Sequence, residues 1–311
     1  MAKGFVETSK RRNGSYFGAG AKTPSLPPQG SKQRHAEESR LISSAQAGDA
    51  AALRRLLSIV SRPAFRYGMT FCRDREDAEE IAQDVLSSLV RSLARYRGDG
   101  TLSTWAFSVA RNACIRHRRR SRRAVASLDA WRAEKGAEPA DHDPDADPQG
   151  RLERREIREA VAAALRLLPA SLREAVVLRD VEGLSAREAA TVLRITERAL
   201  KSRLHRARLE LRTRLQPLVT GEEVSPRSRR CPDIARSWSL HLEGEVSAAV
   251  CARLENHVRA CPECAAACRT MRATIRHCRL LRAKRLPLEA KKALAVIVSA
   301  SRTSSAAKGW K

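Results

Sequence analysis

Residues 182–212 read EGLSAREAATVLRITERALKSRLHRARLELR, and this stretch decides the fold class. Gly183 is placed to end one helix and Ser185 to cap the next, while Glu188, three residues later, completes a capping box. Apolar residues then recur at helical spacing on both sides of a second cap at Thr196. The pattern predicts two short helices that cross closely, as in a helix-turn-helix.

The second of these helices carries a polar stripe at positions i, i+1, i+4 and i+5. Its members are Lys201, Ser202, His205 and Arg206. Such a stripe can enter the major groove of DNA, where arginine donates twice to guanine and shorter polar side chains reach other base edges. Three further arginines flank it and are predicted to contact phosphate: Arg198, Arg203 and Arg208. The alternative is a helical hairpin with a solvated basic face.

Charge and composition narrow the class of protein. The 311 residues include 60 Lys and Arg against 35 Asp and Glu, which gives a net charge of +25 and a pI near 10.9. This surplus indicates a polyanionic partner. Aromatic residues make up only 4% of the chain, which favours small helical modules over a β-sandwich or a large α/β enzyme.

Targeting and membrane signals are not visible. Residues 1–20 contain no long apolar run, and the apolar stretch at residues 293–298 is far shorter than the roughly 20 residues of a transmembrane helix. We therefore expect a cytoplasmic protein without a membrane partner. Thiols stay reduced in that compartment, so the eight cysteines are interpreted first as metal ligands, buried residues or redox sensors.

The expected architecture is all-α, with two small helical modules and a small helical zinc-binding module joined by flexible linkers. The predicted segments are a disordered basic arm (1–37), a helical module (38–123), an acidic linker (124–150), the helix-turn-helix module (151–218), a hinge (219–230), the cysteine-rich module (231–285) and a tail (286–311). The linker is assigned because three prolines within it prevent continuous helix.

The cysteine-rich module contains a metal-ligand pattern. Cys231, His257, Cys261 and Cys264 follow the spacing C-x25-H-x3-C-x2-C. His and Cys four residues apart share a helical face, and the set supplies the four N/S ligands of a closed tetrahedral site. We predict Zn²⁺, structural or regulatory, with another metal as the alternative.

The remaining cysteines are less specific. Four roles stay open for the other cysteines of this module, Cys251, Cys268 and Cys278. These roles are ligand substitution, copper binding, disulfide switching and simple burial. Cys72 and Cys114 fall within helical patterns and are predicted to be core residues.

Two blocks of the chain resemble one family. Residues 168–212 closely resemble region four of bacterial RNA polymerase sigma factors of the extracytoplasmic-function (ECF) group, and residues 73–120 resemble region two, including Asp-Ala-Glu-Glu at 77–80 and Ala-Arg-Asn at 110–112. The resemblance implies a protein that binds core RNA polymerase, recognises −35 and −10 promoter elements and initiates transcription.

The same resemblance assigns residues to each task. Polymerase binding falls to Asp77, Glu80, Gln83 and Asp84; the −10 element to Trp105, Arg111 and Asn112; and the −35 element to Lys201, Ser202, His205 and Arg206. For Trp105, a core role is an equal alternative. Two positions depart from the family: Arg116 stands where Asp is usual, and Leu86 stands where Phe is common.

The segment LHLEGEVSAAVCARLENHVRACPEC resembles the zinc-binding anti-sigma domain over about 40 residues. A free domain of that kind holds its sigma factor inactive. The fusion therefore implies an intramolecular contact between the C-terminal domain and the sigma modules, with regulation through metal or oxidation. A zinc-stapled module without a regulatory role is the alternative.

Two other classes of function compete with this interpretation. One is a polymerase-independent DNA-binding regulator with a structural zinc module. The other is a basic nuclease, which is disfavoured because the sequence contains no paired carboxylates with a basic partner, no phosphate-binding glycine loop and no nucleophile motif. We therefore predict a protein that is not an enzyme.

Overall fold

The computed structural model describes residues 31–72, 75–96, 100–124, 148–220 and 231–281. Within these ranges the chain forms eleven α-helices and no strand, which confirms the predicted all-α class. The described residues belong to two compact units, which we call the N-terminal unit (31–124) and the C-terminal unit (148–281).

The N-terminal unit is built from four helices. They are α1 (Ser31–Gln46), α2 (Ala50–Phe71), α3 (Arg75–Ser92) and α4 (Leu102–Ala124). The side chain of Asp49 caps α2 by accepting a 2.7 Å hydrogen bond from the Ala51 N–H. Gly68 lets α2 approach α3 closely, because a Cβ at this position would lie 2.6 Å from the Cα of Ala78. This crossing brings α3 and α4 onto the same central helix.

Helix α1 corrects one sequence-based boundary. It begins at Ser31, inside the segment 1–37 predicted as a disordered arm. Two acidic side chains hold it to the rest of the unit: Glu37 pairs with Arg55 at 3.0 Å, and Glu38, which is buried, accepts a hydrogen bond from the Leu102 N–H at the start of α4. These long-range contacts have no periodic signal in the sequence.

The C-terminal unit contains seven helices. They are α5 (Pro148–Arg166), α6 (Ala170–Val176), α7 (Ala186–Leu193), α8 (Glu197–Thr220), α9 (Ile234–Leu242), α10 (Ala248–Ala260) and α11 (Pro262–Leu280). Pro169 separates α5 from α6, and a π-helical turn over Val177–Val181 continues α6. Helix α5 begins at Pro148, within the segment predicted as linker.

Helices α9 to α11 form the segment predicted to bind zinc, which we call the zinc module and define as residues 231–281. Its buried core includes Trp238, Leu254, Val258 and Met271. Leu209 of α8 packs against the same core, and α11 lies along α8. The helix-turn-helix and the zinc module are therefore parts of one packed unit.

Several predicted segments lie outside the described residues. These are residues 1–30 of the arm, 125–147 of the linker, 221–230 of the hinge and the tail 286–311. Among the described helices, none has both the length and the apolar character needed to cross a bilayer.

Candidate nucleic-acid interface and metal centre

The helix-turn-helix forms as the sequence predicts. Ser185 accepts a hydrogen bond from the Glu188 N–H at 3.2 Å, and the Glu188 carboxylate accepts one from the Ser185 N–H at 2.8 Å, so the capping box is complete. Arg194 turns the chain in the left-handed region at φ 55°, and the Thr196 hydroxyl caps α8 by accepting from the Ala199 N–H. These contacts fix the start and direction of α8.

Helix α8 presents the predicted polar stripe on one side. Leu200 and Leu204 are fully buried, so the opposite face is turned outward. Ser202 and Arg206 are exposed, whereas Lys201 and His205 are only partly exposed. The four residues are adjacent on the helix surface and carry the donors and acceptors that base edges and phosphates require.

The acidic residues of α3 lie beside the C-terminal half of α4. His117 Nδ1 is 3.3 Å from an Asp77 oxygen, and its Nε2 is 3.3 Å from a Glu80 oxygen. Asp84 pairs with Arg116 at 3.3 Å and is about half exposed. Gln83 is exposed on the same helix, while Ile81, Val85 and Leu89 are buried. Glu80, Gln83 and Asp84 are thus accessible, Asp77 is largely covered, and part of the acidic charge is paired within the chain.

The three residues predicted to read the −10 element lie on α4. Trp105, Arg111 and Asn112 are each partly exposed. Trp105 stacks edge-on against Tyr96, with ring centroids 6.2 Å apart and an interplanar angle of 81°. Trp105 and Asn112 are seven residues apart and share a helical face. The structure therefore brings these two side chains to one surface, with Trp105 supported by an aromatic neighbour.

The four predicted metal ligands converge. Their ligand atoms all lie within 4.8 Å of one another, and no other such group occurs among the described residues: Cys231, His257, Cys261 and Cys264. Cys231 precedes α9, His257 lies in the last turn of α10, and the two other thiols flank the start of α11. The Sγ atoms of Cys231 and Cys261 are 3.9 Å apart, and His257 Nε2 is 3.2 Å from the Cys264 Sγ.

The donor set fits a divalent metal of the zinc class. A hydrogen bond with the Cys264 backbone lowers the pKa of the Cys261 thiol, while burial and the neighbouring thiols raise the pKa of Cys264 to about 12. Without a cation, the thiols therefore do not all ionise together. Binding of a metal ion would displace the thiol protons and would hold α9, α10 and α11 together at one point.

The other cysteines are placed differently. Cys251 has its Sγ 3.3 Å from Nδ1 of His241, whereas Cys268 and Cys278 are buried, and burial raises the pKa of Cys268 to about 12. Cys72 and Cys114 have their sulfurs 3.1 Å apart; the shared hydrogen bond and burial raise the pKa of Cys72. Cys114 is in the core as predicted, and Cys72 is partly exposed at the end of α2.

Comparison with known families finds three matches along the chain. Residues 53–124 match the family described as Sigma-70 region 2, residues 158–211 match Sigma-70, region 4, and residues 231–265 match the family described as "Putative zinc-finger". The first two matches contain all the predicted polymerase and promoter residues, and the third contains all four predicted metal ligands.

Full-length relatives decide the family. The ECF RNA polymerase sigma factor SigM of Mycobacterium tuberculosis is 32% identical over 187 residues, which cover 60% of this chain and 89% of SigM. This chain belongs to the ECF sigma factors. The RNA polymerase sigma-H factor of Pseudomonas aeruginosa is 29% identical over 186 residues, 59% of this chain and 96% of that protein. The sigma factor therefore recognises promoters for RNA polymerase.

A solved structure with a similar chain is the sigma factor RpoE of Bartonella quintana, in a co-crystal structure with the anti-sigma factor NepR. It is 26% identical, with a TM-score of 0.42, and the alignment covers 51% of this sigma factor and 93% of RpoE.

One sequence-based assignment in the sigma factor is wrong. Arg208, predicted to contact phosphate, is 1% exposed. Its guanidinium donates to both oxygens of Asp180, at 2.7 and 2.8 Å, and to Glu243 of the zinc module at 2.7 Å. Burial alone would lower the pKa of Arg208, but the two carboxylates outweigh it and raise the pKa. Arg208 is therefore a buried structural cation rather than part of the DNA-facing surface.

Three contacts of the predicted site residues were not predicted from the sequence. His117 and Arg116 contact the acidic face of α3, and Glu245 of the zinc module contacts Lys201. The unusual Arg at position 116 was a visible signal for the first contact. Nothing in the spacing of residues relates Glu245 to Lys201, because the two lie on different elements joined by a segment without periodicity.

Proposed function

We propose that this sigma factor acts by binding rather than by catalysis, and that its own zinc module restrains it. Asp77, Glu80, Gln83 and Asp84 would dock on core RNA polymerase in the cytoplasm. Trp105, Arg111 and Asn112 would engage the −10 element, and Lys201, Ser202, His205 and Arg206 the −35 element. Zn²⁺ would bind Cys231, His257, Cys261 and Cys264.

The shared core of α8 and the zinc module supports this proposal. Leu209 of α8, which we call the recognition helix, packs against the buried residues of the module, and α11 lies along the same helix. Burial of apolar side chains stabilises such a contact by about 25 cal/mol per Å². A module that stabilises one arrangement of the DNA-reading helix can bias its availability, and loss of metal would weaken that restraint.

Transcription with core RNA polymerase on a pool of genomic fragments tests the proposal. Leu209→Asp in the full chain places a charge against the module core, and we expect it to raise promoter-specific output severalfold. Leu218→Asp makes the same change at an exposed position of α8 and serves as the control. Equal output from wild type and Leu209→Asp, with both proteins folded, would refute the restraint in cis.

Co-purification with core RNA polymerase tests the docking face. Asp84→Arg reverses a half-exposed charge on α3 and should reduce retention of the sigma factor on polymerase at least tenfold. Glu153→Arg makes the same charge change at an exposed position of α5. Retention of Asp84→Arg at the level of the control would instead favour a DNA-binding regulator that works without polymerase.

A further inference from the structure

An acidic turn joins α9 to α10 and faces the recognition helix. We define it as residues 243–245, Glu-Gly-Glu. Gly244 has φ +72°, a conformation that favours glycine, and the Glu245 N–H donates to the Leu240 carbonyl, which closes the turn. Both glutamates of this turn contact basic side chains of the helix-turn-helix.

Glu243 anchors the turn. Its carboxylate is 2% exposed and accepts hydrogen bonds from Arg208 at 2.7 Å and from Arg179 at 3.2 Å. Arg208 also donates to the Ser239 carbonyl and hydroxyl at 3.3 Å. Charge-assisted hydrogen bonds of this kind are stronger than neutral ones. The turn is thus held at a defined place against α8.

Glu245 reaches the polar stripe itself. Its Oε1 lies 3.0 Å from Lys201 Nζ, and both side chains remain partly exposed, 38% and 22% respectively. Lys201 is one of the four residues assigned to the −35 element. A partly exposed ion pair is worth about 1 kcal/mol or less, so an incoming phosphate can displace it.

His205 is also covered from the module side. Its Nδ1 is buried without a hydrogen-bond partner among the described residues. The charges of Arg236 and Asp233, at the start of α9, influence the pKa of His205. Arg208 and Arg206, on the same helix as His205, do so as well. An unpaired buried nitrogen is unfavourable, and exposure to a base edge or to water would satisfy it.

We propose that the acidic turn stands in for DNA phosphate on α8, so that the zinc module and the −35 duplex compete for the same face of the recognition helix. This inference rests on the restraint in cis proposed above. The step that the restraint blocks is binding of the −35 duplex by α8. The partner that displaces the turn is duplex DNA, whose phosphates carry the charge that Glu245 supplies in its absence. Binding of the duplex and opening of the turn are then reciprocal.

Two measurements on the full zinc-loaded chain test the inference. The first is anisotropy of a labelled duplex of randomised sequence at several salt concentrations. The second is the rate at which an acetylating reagent modifies Lys201, followed by mass spectrometry. The variant is Glu245→Gln, and Glu156→Gln, which removes one charge from an exposed position of α5, is the matched control.

We expect Glu245→Gln to tighten duplex binding about threefold and to increase the salt slope by about 0.9, the value for one added phosphate contact. Lys201 should be acetylated faster in this variant, and added duplex should protect it. The control should match the wild type in both measurements. If the two variants shift binding equally, the effect is one of net charge and the inference is overturned; unchanged binding and acetylation overturn it as well.

Competition by the acidic turn and restraint in cis by the zinc module can fail separately. If Leu209→Asp raises transcription while Glu245→Gln leaves duplex binding unchanged, the module restrains the sigma factor by another contact and the acidic turn is not the competitor. If Glu245→Gln frees Lys201 and tightens binding but neither variant raises transcription, the restraint in cis fails while the contact with Lys201 stands.

Discussion

Arg208 joins three acceptor groups from two parts of the C-terminal unit: Asp180, Ser239 and Glu243. A buried guanidinium can satisfy so many partners because its donors lie in one plane at fixed angles. Asp180 alone would leave the Nη1 donor unused, and the zinc module supplies the acceptors for it. An arginine that the sequence places among DNA-contacting residues can thus belong to a buried ion network instead.

Replacement of Arg208 tests this role. Arg208→Met removes the charge and leaves Asp180 buried without its cation, while Glu243 keeps only Arg179, so we expect a loss of about 3–5 kcal/mol in the free energy of unfolding. Urea denaturation followed by circular dichroism measures it. Arg206→Met, at an exposed position two residues earlier, should change stability by less than about 0.5 kcal/mol. A similar small effect at both positions would contradict the buried ion network.

At the scale of elements, close helix crossings depend on small residues. Gly68 of α2 faces Ala78 of α3, and its missing Cβ is what allows the two backbones to approach. Because α3 carries the acidic residues proposed to dock on polymerase, this one crossing sets their position relative to α4. The contact of His117 with Asp77 depends on the same geometry.

Gly68→Ala should therefore destabilise the N-terminal unit by about 1–3 kcal/mol, since the new methyl group meets backbone rather than a movable side chain. Thermal or urea unfolding measures the loss. Gly100→Ala is the matched control, because a Cβ there meets nothing within 4 Å. If Gly68→Ala is as stable as the control, α2 and α3 are further apart than described.

The predicted zinc ligands lie on or beside three helices, α9, α10 and α11. We expect one zinc per chain by metal analysis, reduced strongly in Cys261→Ser and unchanged in Cys251→Ser, whose thiol contacts His241 outside the cluster. A chelator should lower helical content in the wild type, because a structural metal contributes folding free energy directly. Equal zinc content in the two variants would exclude the proposed ligand set.

At the scale of the whole molecule, the histidines of the C-terminal unit link its stability to pH. Burial lowers the pKa values of His205, His241 and His277, with Arg236 and Arg276 adding to the effect at the first and last. A depressed pKa means that the folded unit binds fewer protons than the unfolded chain. Stability is therefore present above the ordinary histidine pKa and lost as the pH falls below it.

We expect the urea midpoint of the C-terminal unit to decrease as the pH is lowered from about 7.5 to about 5.5. This range contains the unperturbed histidine pKa of about 6.5. His277→Leu removes one of the three histidines whose pKa is lowered and should make this dependence shallower. Circular dichroism at matched zinc concentration measures both slopes. An identical slope in the variant would show that His277 does not contribute.

Local signals predicted much of this molecule. The capping box at Ser185, the buried Leu200 and Leu204 and the four metal ligands follow from spacing alone, because each depends on residues within a few turns or on a known ligand geometry. The start of α1 and the burial of Arg208 do not follow from spacing. Glu38 contacts Leu102 across 64 residues, and Glu243 contacts Arg208 across 35 residues. Such contacts depend on how helices pack, which periodicity does not encode.

The pairing of Glu245 with Lys201 lies within a single chain, and this has a consequence for gene dosage. A separate inhibitor can be outnumbered when its target is overproduced, whereas here each recognition helix is synthesised together with the turn that we propose as its competitor. The ratio of the two is therefore one at every level of expression. If the acidic turn restrains the sigma factor, the amount of active protein should rise in proportion to its synthesis, with no threshold at which inhibition is titrated away.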